Sequence, residues 1–138
     1  SAFAPGITEI EAGGGIYGCV RYRKDFGVQV EPALTVLSTV TSRSAADRII
    51  CDAGFKAAGK GTPDPELMGI GIPYSVSFSA EHGVITLSKE VSQPRVGDII
   101  EFVPGYSDAV IFLHDYLYGV RDGFVETVWP IIGRGKLQ

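Results

Sequence analysis

The chain has 138 residues and a formal net charge of −4 at pH 7. Hydrophobic residues make up 45% and charged residues 20%, which excludes an intrinsically disordered chain and predicts one domain with a packed core. The acidic balance and the lack of a basic stripe disfavour a nucleic-acid partner. The apolar runs are short and interrupted, so we expect no membrane span.

The cysteines and the first residues give expectations about location. Cys19 and Cys51 form no CxxC pair, so reduced, buried thiols in a cytoplasmic protein are expected. The first ten residues, SAFAPGITEI, lack the basic start and apolar core of a signal peptide. Because the chain begins at Ser1 and not at Met, we expect it to have been processed or cut from something longer.

Strands dominate the pattern in the first part of the chain. β-Branched residues and alternation of polar and apolar residues predict four strands, at 7–11, 16–24, 33–43 and 47–54. Residues 59–73 are dense in turn signals, with at most one helical turn at 65–68.

The second part predicts two hairpins and one short helix. Residues 74–89 read as a hairpin around the turn AEHG, and 95–104 as a turn followed by a strand. Asp108 is a candidate N-cap for a short helix over DAVIFLHD. The segment 116–131 predicts a second hairpin that turns at Arg121-Asp122-Gly123. Six to nine short strands with almost no helix indicate an all-β fold, a single small β-barrel or sandwich with short helical turns.

Two nucleotide-binding motifs are only partly present. Gly13, Gly15 and Gly18 match GxGxxG, but the alternating segment that follows predicts a strand and not the helix that a dinucleotide site requires. We expect these glycines to allow a close backbone approach or a bulge. The segment GFKAAGKGT resembles a P-loop, yet it lacks the Ser or Thr after Lys60, and Pro63 and Pro65 forbid the helix.

Several blocks in a fixed order resemble one enzyme family. They are TEIEAGGGIYGCVRYR, LTVLSTVTSR with DRIICDAGFKA, SAEHGVITL, RVGDIIEFVPGYSD and LHDYLYGVRDGFVETVWPIIGRGK. Together they are similar to the C-terminal β-domain of the D-threonine aldolase and D-serine dehydratase family. Those enzymes are alanine-racemase-like, fold-type III proteins that use pyridoxal phosphate (PLP).

The resemblance implies a two-domain lyase of D-amino-acid metabolism. An N-terminal TIM barrel of roughly 250 residues would carry PLP and its Schiff-base lysine. The β-domain would act as a lid over a small D-amino-acid substrate and help to form a homodimer. This chain has no such barrel, so we expect PLP in the full-length parent only and no catalysis by the chain alone.

In this family a Pro-x-His-x-Asp or Pro-x-His-x-Cys segment supplies a divalent metal site. In the matching segment PGYSD the histidine position is Tyr106, and Asp108 matches the second ligand. Asp108 is therefore the remaining candidate metal ligand, but one carboxylate does not make a Zn²⁺ or Mn²⁺ site. A phenol whose pKa is about 10 is a poor substitute for imidazole. We expect Tyr106, Asp108 and His82 to belong to a substrate pocket.

Other conspicuous residues have plain structural explanations. His114 and Asp115 are adjacent and should not face each other on a helix, so a structural hydrogen bond is expected for His114. Lys56 lacks an apolar cage that would lower its pKa and is rejected as a Schiff-base lysine. Trp129 is expected as a core or interface anchor, and Arg121 with Asp122 as a solvated pair.

Two further functions stay open at this point. The first alternative is a stand-alone β-barrel that serves as a binding or assembly module without catalysis, pairing through an open sheet edge. The second is a small metal-dependent lyase that uses Asp108, His114 and His82.

Overall fold

The computed structural model describes residues 5–9, 13–61, 63–72 and 74–136. These residues form eight strands and three short α-helices. The strands are β1 (Val36–Ala45), β2 (Arg48–Cys51), β3 (Glu66–Leu67), β4 (Tyr74–Phe78), β5 (Gly83–Leu87), β6 (Ile99–Val103), β7 (Tyr116–Arg121) and β8 (Phe124–Pro130). The helices are α1 (Val20–Phe26), α2 (Phe55–Ala58) and α3 (Asp108–Ile111), and a 3₁₀ turn spans Gly13–Ile16. The predicted all-β class with short helical turns is confirmed.

Six strands form one curled antiparallel sheet in the order β3-β6-β1-β2-β5-β4. The outermost strands, β3 and β4, are not paired with each other. They are linked instead by the Tyr74 hydroxyl, which accepts a 2.8 Å hydrogen bond from the backbone N–H of Leu67. The sheet is therefore a half-barrel, and the Tyr74 side chain helps to keep it curled.

Buried and exposed side chains alternate along β1, as expected for a strand with one face on the core. Val36, Ser38 and Val40 are buried, whereas Leu37 between them is exposed. Ser38 lies in the core because its hydroxyl donates to Asp52 at 2.8 Å and accepts from the Ala53 N–H at 3.0 Å. The strands predicted within 33–43, 47–54 and 95–104 and the hairpin at 74–89 are confirmed.

The core lies on the concave face of the curled sheet. Phe102, Ile49 and Ile85 are fully buried there, and Phe102 meets Phe78 edge to face at 5.6 Å between ring centroids. Cys51 is fully buried and Cys19 nearly so, and both are free thiols, as expected.

The predicted second hairpin is confirmed as β7 and β8, which, among the strands of the described residues, pair only with each other. Asp122 (φ 51°) and Gly123 (φ 81°) make its two-residue turn. Positive φ at both central positions is what a type I′ hairpin turn requires. Arg121 pairs with Glu126 at 3.0 Å and not with Asp122, so the expected Arg121–Asp122 pair was wrong.

The strand predicted at 16–24 is wrong, because α1 occupies most of that segment. The helix buries Val20, places Arg21 one turn from Asp25 at 3.5 Å, and ends at Gly27, whose φ is 65° and whose N–H donates to Tyr22. Residues 7–9 are not a strand either, and residues 10 and 11 of that prediction lie outside the described residues.

A helix does follow the GxGxxG glycines, contrary to the sequence interpretation, but it has only seven residues. A Cβ on Gly18 would lie 2.6 Å from the carbonyl oxygen of Glu31, so the predicted close backbone approach holds at this glycine. Residues 65–68, where at most one helical turn was expected, hold β3 and no helix. Within the described ranges, every helix is too short or too polar to cross a membrane.

Candidate functional site

The segment after β6 turns sharply and presents Tyr106 and Asp108. Pro104 is fully buried, and a Cβ on Gly105 would overlap the carbonyl oxygen of Pro63. Glycine is therefore required where the two backbones touch. This close contact sets the direction in which the chain leaves the sheet toward α3.

The Tyr106 hydroxyl donates a 2.6 Å hydrogen bond to Oδ2 of Asp108. This bond and the negative charge of Asp108 raise the pKa of the Tyr106 phenol above its usual value. The phenol therefore stays protonated at neutral pH and acts as a hydrogen-bond donor. The other carboxylate oxygen, Oδ1, lies 3.3 Å from the hydroxyl of the buried Ser107.

Asp108 is not the N-cap that the sequence predicted. Ser107 occupies the cap position with φ −58° and ψ −42°, and its side chain makes no capping hydrogen bond. Asp108 is the first residue of α3, where its negative charge suits the helix dipole. The short helix itself is confirmed, although it ends at Ile111.

Arg21 is a site residue that the sequence analysis missed. Its guanidinium carbon lies 5.0 Å from the centroid of the Tyr106 ring, within cation–π distance. The backbone N–H groups of Val20 and Arg21 donate to the carbonyls of Pro104 and Gly105, both at 3.0 Å. The start of α1 is thus fastened to the Tyr106 segment. No sequence signal could reveal this contact, because the two segments are far apart in the chain.

Arg21 also carries the unsatisfied donor of this site. Its Nε lies 3.5 Å from the Asp25 carboxylate as a loose ion pair but makes no hydrogen bond with the described residues. The Arg21 side chain is 40% exposed. A positive charge and a neutral phenol therefore lie side by side.

His82 lies in the exposed turn between β4 and β5. Its carbonyl accepts from Ser79, and the turn is held by α2, because Phe55 and Lys56 donate their N–H groups to Ser79 and Ala80. The far end of α2 leads to Gly59, where a Cβ would meet Val110 of α3. α2 thus spans the distance between the His82 turn and α3, and no hydrogen bond joins the His82 ring to Tyr106 or Asp108 within the described residues.

The other titratable candidates serve the fold. His114 Nε2 lies 2.8 Å from the carbonyl oxygen of Ala57, which is the structural hydrogen bond expected for it. Lys56 lies 2.5 Å from Glu81, and its side chain is 63% exposed. No cluster of three or more His, Cys, Asp or Glu suited to a metal ion occurs in the parts of the chain that the structure describes.

These residues do not fit a metal or PLP by themselves. Asp108 already accepts hydrogen bonds, and its neighbour is a neutral phenol and not an imidazole, so the donor set for Zn²⁺ or Mn²⁺ is missing there. All five lysines are exposed, and none has the apolar surroundings that a Schiff-base lysine needs.

The cavity at Tyr106 is too small for a substrate. It measures about 10 Å³, which is room for a single water, and is lined by Gly59, Pro63, Tyr106 and Val110 among others. A wider open groove of about 320 Å³ lies at Arg43 and Arg95, but the Arg43 guanidinium is already bound by the carbonyls of Ala46, Val91 and Pro94. The described residues around Tyr106 therefore do not enclose a substrate-sized cavity by themselves.

Known proteins resemble this chain across most of its length. A family model described as "Putative serine dehydratase domain" matches residues 33–120. D-threonine aldolase of Arthrobacter sp. is 37% identical over 134 residues, which cover 93% of this chain and 35% of the aldolase. The crystal structure of D-threonine aldolase from Filomicrobium marinum matches with a TM-score of 0.73 at 30% identity, covering 80% of this chain and 30% of that one.

A third relative differs in length. An uncharacterized protein of Mycobacterium tuberculosis is 28% identical over 113 residues, which cover 75% of this chain and 85% of that protein. The chain therefore spans about a third of the length of the two aldolases but most of the mycobacterial protein.

The family match covers more than half of the residues, and it agrees with the ordered blocks quoted from the sequence. The chain belongs to the serine dehydratase domain family, among the D-threonine aldolase-like, alanine-racemase-like proteins of PLP fold type III.

Proposed function

We propose that this chain is the C-terminal β-domain of a PLP-dependent D-amino-acid aldolase or dehydratase-like lyase. The observation that carries the proposal is the 37% identity that spans 93% of this chain but only 35% of a D-threonine aldolase. The rest of such an enzyme would be an N-terminal TIM barrel. The β-domain would cover its active site as a lid and take part in a homodimer.

The barrel would bring PLP and its lysine. Every lysine of this chain is exposed, and Lys56 and Lys24 are already paired with Glu81 and Glu66. The single chemical contribution of PLP, when bound to the barrel, is to withdraw electrons from the substrate carbon. The isolated chain would have no catalytic activity.

Tyr106 and Asp108 would form the substrate-facing wall that this domain contributes. The protonated phenol holds the Asp108 carboxylate in one orientation through the 2.6 Å hydrogen bond. The remaining lone pairs of that carboxylate can accept from the hydroxyl or ammonium group of a small D-hydroxy amino acid. Arg21, stacked on Tyr106, keeps the ring in place. His82, exposed in its turn, is proposed for the rim of the same pocket.

A cytoplasmic location is proposed as well. Its support is that Cys19 and Cys51 are free, buried thiols and not a disulfide.

The test is made on the full reading frame that contains this chain. The purified protein should be yellow with bound PLP and should cleave or dehydrate a D-hydroxy amino acid. The separately produced 138-residue chain, mixed with PLP, should stay colourless and inactive. In the full protein, Tyr106→Phe should lower kcat/KM for the D-amino acid without loss of the yellow colour, because the lysine that holds PLP would lie in the barrel and not in this chain. A reading frame without a barrel would refute the proposal.

The mycobacterial relative supports a second candidate. Because 85% of that protein is matched, a protein of nearly this size exists in the family. The half-barrel would then serve as a stand-alone binding or assembly module, using the unpaired edge of β3 or β4. This candidate predicts a reading frame of about this length, which the same experiment detects, and complexes that form without PLP.

A further inference from the structure

The carboxylate of Asp108 is engaged at both oxygens within its own segment. Oδ2 accepts the 2.6 Å hydrogen bond from the Tyr106 hydroxyl, and Oδ1 lies 3.3 Å from the hydroxyl of Ser107. The donated proton therefore lies between the Tyr106 and Asp108 oxygens, at the place that a cation shared by them would occupy. Because metal ligands bind in their deprotonated form, a divalent ion could enter here only by displacing this proton.

A positive charge is already fixed beside the Tyr106 ring. The guanidinium carbon of Arg21 lies 5.0 Å from the ring centroid. The backbone holds Arg21 in this position, because its N–H donates at 3.0 Å to the carbonyl of Gly105, the residue before Tyr106. The Asp25 carboxylate, 3.5 Å from Nε, offsets part of the charge. The positive potential that remains disfavours a divalent cation next to Tyr106.

Further metal ligands do not reach the pair within the described ranges. His114 Nε2 lies 2.8 Å from the carbonyl oxygen of Ala57, so this ring nitrogen is occupied. His82 lies in the turn between β4 and β5, and no group of three or more His, Cys, Asp or Glu suited to a metal includes it. A divalent ion with few protein ligands keeps several waters, but the cavity beside Tyr106 measures about 10 Å³ and has room for one.

We propose that Tyr106 excludes a divalent metal from this segment and leaves Asp108 as a hydrogen-bond acceptor. The resemblance of PGYSD to a metal-binding segment puts Tyr106 where a histidine ligand would stand. One residue therefore decides between two kinds of site. Tyr106 is a positioning residue, since its hydroxyl orients the Asp108 carboxylate.

The exclusion of a metal depends on residues of this chain and not on PLP, a barrel or a reaction. Only its consequence, that Asp108 orients a substrate hydroxyl without a metal, rests on the proposed function. A measurement of metal binding therefore fails or succeeds separately from the proposed reaction.

The test is titration of the protein with Mn²⁺, with free Mn²⁺ followed by electron paramagnetic resonance. Mn²⁺ suits the test because it favours oxygen ligands over thiols, so Cys19 and Cys51 do not compete for it. We expect the unaltered protein to bind no stoichiometric Mn²⁺. Loss of an outer-shell partner costs about 10–100-fold in metal affinity, and a direct ligand should count for at least as much. Tyr106→His should therefore lower the Kd for Mn²⁺ by at least about tenfold.

Two further variants control this result. Asp108→Asn, added to Tyr106→His, should abolish the gained binding, because the carboxylate ligand is gone. Tyr116→His is the matched control, since it adds an imidazole at a tyrosine that is 52% exposed and lies opposite Pro130 on the hairpin. It should bind Mn²⁺ no more tightly than the unaltered protein. Circular dichroism checks that each variant is folded.

The proposal fails if the unaltered protein binds one Mn²⁺ that Asp108→Asn removes, and this measurement needs no folded Tyr106→His variant. A folded Tyr106→His protein that binds Mn²⁺ no more tightly than the unaltered one would also overturn it. Equal gains in Tyr106→His and Tyr116→His would overturn it as well, because any added imidazole would then suffice.

Discussion

The hydroxyl of Tyr74 accepts a 2.8 Å hydrogen bond from the backbone N–H of Leu67 and lies 3.5 Å from the Leu67 carbonyl. Tyr74 begins one edge strand of the half-barrel, and Leu67 ends the other. The Tyr74 hydroxyl thus supplies the hydrogen bond that the N–H of Leu67 would otherwise make to a neighbouring strand. It also keeps the sheet curled over the core.

Tyr74→Phe should lower the free energy of unfolding by about 1 kcal/mol, because the N–H of Leu67 loses its partner in a half-buried site. Urea unfolding measures the loss, and amide hydrogen exchange should show faster exchange at Leu67. Tyr118→Phe is the control, since the exposed Tyr118 has no side-chain hydrogen bond in the described part of the chain. Removal of its hydroxyl should leave the free energy of unfolding unchanged. Equal effects of the two substitutions would contradict this role.

Gly105→Ala should destabilise the protein by about 1–3 kcal/mol, the usual cost of overpacking. The new methyl group would overlap the carbonyl oxygen of Pro63, so the 104–108 segment has to shift. Gly71→Ala is the matched control, because no atom lies within 4 Å of its added Cβ and its φ is not positive. Thermal unfolding compares the two variants. A Gly105→Ala protein as stable as the Gly71→Ala protein would show that the backbones are not in contact.

Strand placement could be predicted because β-branched residues alternate with polar ones, as in β1, where Val36 and Val40 point inward and Leu37 outward. The same kind of alternation led to the wrong prediction of a strand where the structure has α1. Tyr17, Cys19, Arg21 and Arg23 follow a period of two, yet this stretch contains few β-branched residues. Helix signals were present in Asp25, four residues after Arg21, and in Gly27 as a left-handed C-cap.

The site could be predicted only in part. The sequence could place Tyr106 and Asp108 close together because both lie in one turn after an apolar strand, and a hydrogen bond joins them in the structure. The contacts that complete the site are not local. The stacking of Arg21 on Tyr106 and the overlap that restricts Gly105 depend on α1 and on Pro63, which only the folded chain brings close.

The titration of Tyr106 should report on Asp108. The hydrogen bond to Asp108 and its negative charge raise the pKa of the Tyr106 phenol, so this tyrosine should lose its proton at higher pH than a free tyrosine. Asp108→Asn should move the pKa back down, because the negative charge and the ionic acceptor are gone. NMR of the ring carbons follows one tyrosine at a time, and Tyr116 serves as the internal control. An unchanged Tyr106 pKa in Asp108→Asn would show that the two side chains do not interact in solution.

Glu66 fastens α1 to β3, since it pairs with Arg23 and lies 2.6 Å from Lys24. Burial alone would raise the pKa of the Glu66 carboxyl, but the hydrogen bonds and positive charges of Lys24 and Arg23 outweigh it and lower that pKa. Because the pKa of Glu66 is lower in the folded state, its ionised form stabilises the fold at pH values above the unfolded-state pKa of about 4.3. This stabilisation is lost as the pH falls through the folded-state value.

Glu66→Gln should therefore cost at most about 1 kcal/mol at pH 7 and low salt, discounted because these side chains are partly exposed. The loss of stability should shrink at 1 M salt, where screening is strong. It should disappear at a pH below both the folded-state and the unfolded-state pKa of Glu66. Glu126→Gln is the control, since its pair with Arg121 lies on the β7–β8 hairpin, with side chains 52% and 74% exposed. Urea unfolding at two salt concentrations separates the variants. If Glu66→Gln and Glu126→Gln behave alike at every pH and salt concentration, Glu66 does not anchor α1, and the position of Arg21 over Tyr106 must depend on the backbone bonds to Pro104 and Gly105 alone.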